Sequence, residues 1–168
     1  MWLLLRKFIF FICLAGLLSA CGFRPLHGDH EAAQKDIELL KSVEIPPISG
    51  KIGQDFRRKL SEIINPSRTY SESIYRLEVN LNKDSIPLAI ERNRIVTRYK
   101  LIVRANYKLI RIADNKVIDS GELSRDGGYD KVSSDYATYI SEEYTTKTVA
   151  EALAEDMRLQ LTSVLFEQ

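Results

Sequence analysis

The sequence is poor in the residues that most often carry chemistry. It contains two cysteines, Cys13 and Cys21, and two histidines, His27 and His30, among 168 residues. All four lie within the first 30 positions, so the rest of the chain offers neither a thiol nucleophile nor an imidazole base. A catalytic site needs such groups close together. We therefore expect that the protein is not an enzyme.

Other polar residues do not replace the missing chemistry. Gly127-Gly128 lacks the strand-to-helix setting and the lysine that a phosphate-binding loop needs. Glu142-Glu143 is a carboxylate pair, but adjacent residues on a helix do not face each other, so a solvated helix surface explains it. We interpret His27 and His30 as surface or linker residues and expect no metal site.

The first 20 residues have the three-part order of a secretory signal. Arg6 and Lys7 form a basic start, an apolar run of about 11 residues covers positions 8–18, and Ser19-Ala20 supply small residues. A spanning helix needs about 17–25 residues, so this run is too short for a permanent membrane span. Residues 1–20 are therefore predicted to be a removable signal peptide.

Cys21 directly follows Leu18-Ser19-Ala20, and together these residues resemble a lipobox. Lipid attachment needs a thiol at the new N-terminus, because diacylglycerol is joined to sulfur as a thioether. We expect a covalent lipid on Cys21, the alternative being an ordinary cleavage site that happens to precede a cysteine. Because Gly22 follows in place of an aspartate, the periplasmic face of the outer membrane is the favoured location.

The mature chain would have 148 residues, which is the size of one domain. Loss of Arg6 and Lys7 leaves 22 basic residues against 23 acidic ones, and this balance argues against nucleic acid as a partner. No thiol remains for a disulfide, so the core alone must stabilise the fold. We assign residues 21–42 to a lipid-anchored tether and lead-in, and residues 43–168 to a single domain.

Hydropathy patterns predict the order strand, helix, three strands, helix. The predicted ranges are 43–48, 50–65, 74–82, 95–112, 116–125 and 135–166. Prolines end the first strand, Ser85-Ile86-Pro87 separates the second from the third, and Asp114-Asn115 forms a hairpin turn. Gly127-Gly128 is expected to loosen the chain, and a kink is possible near Thr145–Thr148. These elements predict an α+β fold, a two-layer sandwich of a small four-stranded sheet packed with two helices.

Positive charge is concentrated in the segment 88–111. Against one acid, Glu91, it contains seven basic residues: Arg92, Arg94, Arg98, Lys100, Arg104, Lys108 and Arg111. The four at positions 98, 100, 104 and 108 share one face of the predicted strand, opposite its apolar face. Two interpretations stay open: an anion-binding face for a phosphorylated glycolipid or an acidic partner, or a solvated face paired with Glu78 and Glu122.

Several stretches of the mature sequence match one known pattern. They are Cys21–Gly28, the strand segments 97–101 and 105–109, Tyr136-Ala137, and Ala152–Arg158 of the final helix. With the lipobox, the element order and the length, they resemble the LptE family of lipopolysaccharide-assembly lipoproteins in its alphaproteobacterial form. The resemblance covers essentially the whole mature chain.

The resemblance implies a noncatalytic plug that sits inside the large outer-membrane barrel LptD, helps it assemble, and helps deliver lipopolysaccharide to the outer leaflet. The expected partners are an LptD-like barrel, lipopolysaccharide and the membrane, with no cofactor besides the lipid on Cys21. The alternative is an accessory lipoprotein of another envelope lipid-transport complex, since a fold does not define a function. From the charge pattern alone, we predict five residues for lipopolysaccharide or anion binding: Arg92, Arg94, Arg98, Lys100 and Arg104.

Overall fold

Four strands and two long helices form the part of the chain that the structure, a computed structural model, describes: residues 38–69, 71–90 and 96–166. Their order is β1 Val43–Glu44, α1 Gly50–Ile64, β2 Tyr75–Ile90, β3 Val96–Arg111, β4 Lys116–Asp130 and α2 Asp135–Phe166. The predicted signal peptide, Cys21, Arg92 and Arg94 lie outside the described residues. None of the described helices is long and apolar enough to cross a membrane.

The strands form one mixed sheet in the order β1-β2-β3-β4. β1 runs parallel to β2 through Val43 and Glu44, whereas the β2–β3 and β3–β4 pairs are antiparallel. Both helices pack on the same face of the sheet, which is the face of the odd-numbered β3 residues. The predicted α+β fold with a four-stranded sheet and two helices is therefore confirmed.

The core lies between the helices and this sheet face. The odd-numbered β3 residues from Leu101 to Leu109 are buried, as their alternation predicted. The helices contribute buried residues at three- and four-residue spacing: Phe56, Leu60 and Ile64 from α1, and Leu153, Met157 and Leu161 from α2. The face of the sheet away from the helices is called the outer face below.

The two ends of the sheet differ in what they hold. At one end, the Ser42 carbonyl accepts hydrogen bonds from the backbone N–H groups of Ile74 (3.0 Å) and Tyr75 (3.3 Å), so the chain enters the sheet there. We call this the entry end. The β3–β4 turn lies at the same end, where the Lys116 N–H donates to the Asp114 carboxylate and Asn115 has a φ of 53°. The opposite end, where β2 finishes and β3 begins, is called the far end.

The predicted extents of β1 and β2 were wrong in opposite directions. β1 ends at Glu44 and not at Ile48, because prolines follow it. β2 continues to Ile90 through the expected break at Pro87, with a register shift after that proline. Since β1 covers only Tyr75 and Arg76, the rest of β2 is an edge strand, where proline is tolerated.

The expectation that Gly127-Gly128 loosens the chain was also wrong. β4 runs through both glycines to Asp130 and pairs with β3 along this length. A Cβ added at Gly127 would lie 2.7 Å from Val149 Cγ2 and 2.9 Å from Thr145 Cγ2. The missing side chain therefore allows α2 to approach the sheet closely.

α2 is continuous from Asp135 to Phe166, with no interruption near Thr145–Thr148. The hydroxyls of Thr146 and Thr148 donate to the carbonyls four residues earlier, at 2.8 and 3.0 Å, and are satisfied within the helix. The buried residues of α2 begin at Val149. Earlier in the helix, Tyr136 and Tyr144 are more than 70% exposed.

Candidate functional site

The predicted basic residues within the described chain lie together on the outer face. Arg98, Lys100 and Arg104 occupy even positions of β3, opposite the buried odd positions, and run from the far end toward the middle of the strand. Their side chains are between one third and three fifths exposed. The structure therefore brings these three cations to one surface.

Each of these cations has an acidic partner on a neighbouring strand. Arg98 Nε lies 3.7 Å from Asp130 Oδ1, Lys100 Nζ lies 3.3 Å from Asp126 Oδ2, and Arg104 contacts Asp84. The acids come from β4 and β2, so the positive charge of β3 is compensated across the sheet.

The acids predicted as partners of this face, Glu78 and Glu122, do not lie opposite these three cations. Glu78 lies opposite Lys108 and Glu122 lies opposite Asn106, both nearer the entry end. The three observed acids can be identified from the sequence only after the strand register is known. Exposed pairs of this kind contribute about 0–1 kcal/mol each, so a phosphate could displace a carboxylate from them.

A second group of charges joins α2 to the other elements. Lys83 Nζ of β2 lies 2.7 Å from Glu142 Oε1, and Lys51 of α1 contacts Glu143. These residues line a cavity of about 310 Å³, together with Tyr139. Glu142 and Glu143, which the sequence analysis placed on a solvated helix surface, thus pair with residues of β2 and α1.

A hydrogen-bonded network lies between β3, β4 and α2. The Tyr107 hydroxyl donates to Asp119 Oδ2 at 2.8 Å, and Gln160 Nε2 donates to the same oxygen at 3.1 Å. Burial, and next the hydrogen bond to Asp119, raise the pKa of Tyr107 to about 12. The sequence pattern identified Tyr107 only as a core residue, because Asp119 lies 12 positions from Tyr107 in the chain and Gln160 lies 41 positions from Asp119.

This pKa shift predicts a loss of stability in strong alkali. The fold favours the neutral phenol, so the contribution is complete below the ordinary tyrosine pKa of about 10 and is lost as pH rises toward 12. In urea unfolding followed by circular dichroism, Tyr107→Phe should therefore lose less stability between pH 10 and 12 than the wild type. Tyr139→Phe, at an exposed position, is the control; a Tyr107→Phe curve parallel to the wild type would contradict the prediction.

The described residues contain no group of three or more histidine, cysteine, aspartate or glutamate side chains that could hold a metal ion. The described residues thus form paired charges on an open sheet face and a polar network between the sheet and α2.

Residues 40–168 match the family model LptE, which is described as lipopolysaccharide-assembly. The chain is also 27% identical over 154 residues to an uncharacterized protein of Rickettsia prowazekii (strain Madrid E), covering 92% of this chain and 94% of that one. The family match therefore includes all of the described strands and helices.

Solved structures show the same fold at low sequence identity. A protein from Caulobacter crescentus CB15 has a TM-score of 0.66 at 18% identity, covering 80% of this chain and 98% of that chain. The rare lipoprotein B from Shewanella oneidensis has a TM-score of 0.55 at 15% identity, covering 75% and 98%. With the family match across more than three quarters of its length, the chain belongs to the LptE family of lipopolysaccharide-assembly proteins.

Proposed function

We propose that this protein is a lipoprotein of the outer membrane that plugs an LptD-like barrel, assists its assembly, and helps deliver lipopolysaccharide to the outer leaflet. The family match over residues 40–168 is the observation that carries the proposal. The protein acts by binding and not by catalysis. A lipid on Cys21 holds it at the periplasmic face of the membrane.

The surface of the described chain suits a polar barrel interior. The lumens of outer-membrane barrels are polar, so a plug needs a polar surface without large unpaired apolar areas. Around Arg98, Lys100 and Arg104 the outer face is polar, and these cations are paired with neighbouring acids. The exposed tyrosines of α2, Tyr136, Tyr139 and Tyr144, add side chains that combine an apolar ring with a polar hydroxyl and are common at interfaces.

Co-purification tests the barrel proposal. The tagged full-length protein, extracted from membranes in mild detergent, should carry a large β-barrel protein identified by mass spectrometry, and its depletion should lower mature barrel and surface lipopolysaccharide. A Cys21→Ser variant separates membrane anchoring from barrel binding. It should be lost from the membrane fraction, yet it should still capture the barrel when the two proteins are mixed.

Unchanged barrel maturation and surface lipopolysaccharide after depletion would refute the proposal. Crosslinks to inner-membrane transporter components instead of a barrel would favour another lipid-transport complex.

We further propose that the five basic residues predicted from the charge pattern contact the phosphates of lipopolysaccharide. The residues concerned are Arg92, Arg94, Arg98, Lys100 and Arg104. Arginine and lysine are the usual phosphate-binding side chains, and the last three are exposed on one face. Their present acidic partners are exposed as well, so exchange for a phosphate requires no unfolding.

Reversing two of these charges is expected to weaken lipopolysaccharide binding several-fold. Arg98→Glu with Lys100→Glu removes two cations and places like charges beside Asp130 and Asp126. Binding is measured with immobilised lipopolysaccharide at several salt concentrations, and circular dichroism checks the fold.

The matched control is Arg76→Glu with Lys108→Glu, which reverses two cations of the outer face near the entry end. It should change binding much less than the far-end pair. If the far-end variant binds lipopolysaccharide as the wild type does, or if both variants lose equal affinity, the anion-binding interpretation is refuted. The outer face is then only a solvated surface with paired charges.

A further inference from the structure

A second basic site lies on the helical side of the molecule, away from the outer face. It is a cavity of about 510 Å³ along the exposed face of α1, and it reaches the turn that follows this helix. Arg57 and Ser61 line it from α1, one helical turn apart, and Arg68 lines it from the turn. No part of the predicted basic segment 88–111 contributes to it.

Arg57 is held in place through one edge of its guanidinium group. Its Nε donates a hydrogen bond of 2.8 Å to the backbone carbonyl of Ile45. The guanidinium group has five N–H donors in a fixed plane, so four remain for a ligand. This geometry suits the two-point binding of a phosphate or carboxylate.

Arg68 is held through its backbone. It has a φ of 48°, in the left-handed region that residues with a Cβ seldom occupy. Asn65 maintains this turn: its carbonyl accepts from the Arg68 N–H at 3.0 Å, and its side chain both donates to the Thr69 carbonyl and accepts from the Thr69 N–H. The Arg68 side chain is thus presented beside Arg57 by a preorganised loop.

The charges of these two arginines are not compensated within the described chain. Six of the nine described arginines have a carboxylate oxygen within 4 Å, and three do not: Arg57, Arg68 and Arg158. Two of these three share this cavity. Arg58, which also lines it, already binds Glu151 at 2.8 Å and Asp55 at 3.6 Å. The one acid in the lining, Glu62, forms no ion pair with either arginine.

The site lies near the entry end. Thr69, the residue after Arg68, lines a neighbouring cavity with Leu39 and Ser42, which belong to the first described residues of the chain. Sixteen residues separate Cys21 from Glu38, and they can span at most about 55 Å. A lipid on Cys21 therefore keeps this end within reach of the membrane surface.

We propose that Arg57 and Arg68 bind the phosphate of an anionic lipid headgroup in the membrane that holds the anchor. The inference rests on the proposed lipid anchor at Cys21. The Ser61 hydroxyl supplies a further hydrogen bond to the phosphate oxygens. The contact orients the domain at the membrane and is separate from the lipopolysaccharide contact at the far end.

Arginine reactivity tests the site. The full-length lipidated protein is placed in nanodiscs of phosphatidylcholine alone or with one third phosphatidylglycerol, and phenylglyoxal adducts are counted by peptide mass spectrometry. Adduct formation at Arg57 and Arg68 should be at least three-fold slower in the anionic discs, whereas Arg158 should react equally in both. In the full-length lipidated protein, Arg57→Gln should weaken the protection of Arg68 in anionic discs, and Arg158→Gln should not.

Further measurements distinguish a lipid headgroup from a free anion as the ligand of this site. Protection by inorganic phosphate in detergent without protection in anionic discs would show a free-anion site and refute the lipid contact. Equal slowing at Arg158, or no slowing at all, would also refute it. The discs contain no barrel, so the result does not depend on the plug proposal. The intact mass reports the lipid on Cys21 in the same sample, so a missing anchor is distinguished from a missing headgroup site.

Discussion

Phe56→Ala is expected to lower the free energy of unfolding by about 3–5 kcal/mol, the usual range for removing a buried phenyl ring. Phe56 is fully buried and belongs to the same core cluster as Leu60, Leu153 and Met157, which joins α1 to α2. The described chain contains no cysteine that could form a compensating disulfide. A cavity at this position therefore acts directly on the one core of the domain.

Urea unfolding followed by circular dichroism measures this loss. Leu159→Ala also shortens an apolar side chain to alanine, on the paired helix α2, but Leu159 is 56% exposed. The control should change stability by less than about 1 kcal/mol. A similar loss in both variants would show that the core does not have the arrangement described.

Gly127→Val is expected to cost about 1–3 kcal/mol, because the added side chain has no room between β4 and α2. Even the Cβ atom would come within 3.0 Å of Val149 and Thr145, whose branched side chains cannot turn aside easily. The strand or the helix must therefore move. Valine is otherwise favoured in strands, so propensity alone predicts the opposite sign.

The adjacent glycine provides a matched control. A Cβ at Gly128 would lie 3.5 Å from the Arg98 guanidinium group on the outer face, which is an ordinary contact. Gly128→Val should therefore be tolerated. Adding Val149→Ala to Gly127→Val should recover part of the stability, since the two changes act on one contact. Equal losses for the two glycine variants would contradict the close approach of α2.

The elements that can be recognised from the hydrophobic pattern of a single stretch of sequence were predicted correctly. The alternation in β3 placed Leu101 and Leu109 in the core, and the spacing of Phe56, Leu60 and Ile64 identified the buried face of α1. A sheet with one apolar face and a helix with one apolar stripe can bury these two surfaces only by packing them against another apolar surface, and few arrangements do so. For this reason the element order alone was enough to predict the two-layer fold.

The errors occurred where a residue's usual tendency was overridden by its neighbours. Pro87 and Gly127 normally end strands, yet β2 tolerates the first along its free edge and β4 needs the second beneath α2. The charge pattern of β3 left an anion-binding face and a paired, solvated face both open. Arg98, Lys100 and Arg104 looked like an unbalanced group, but acids on two other strands face them.

The amino-acid sequence alone was enough to predict the lipobox at Cys21, the α+β fold and membership of the LptE family, which the family match confirmed. These depend on residues close together in the chain. Which of the described arginines lack a carboxylate within 4 Å could be learned only from the three-dimensional structure, because an ion pair depends on strand register and loop conformation. The fold brings together Arg57 and Arg68, which are eleven positions apart in the chain, to line one cavity to which β3 does not contribute.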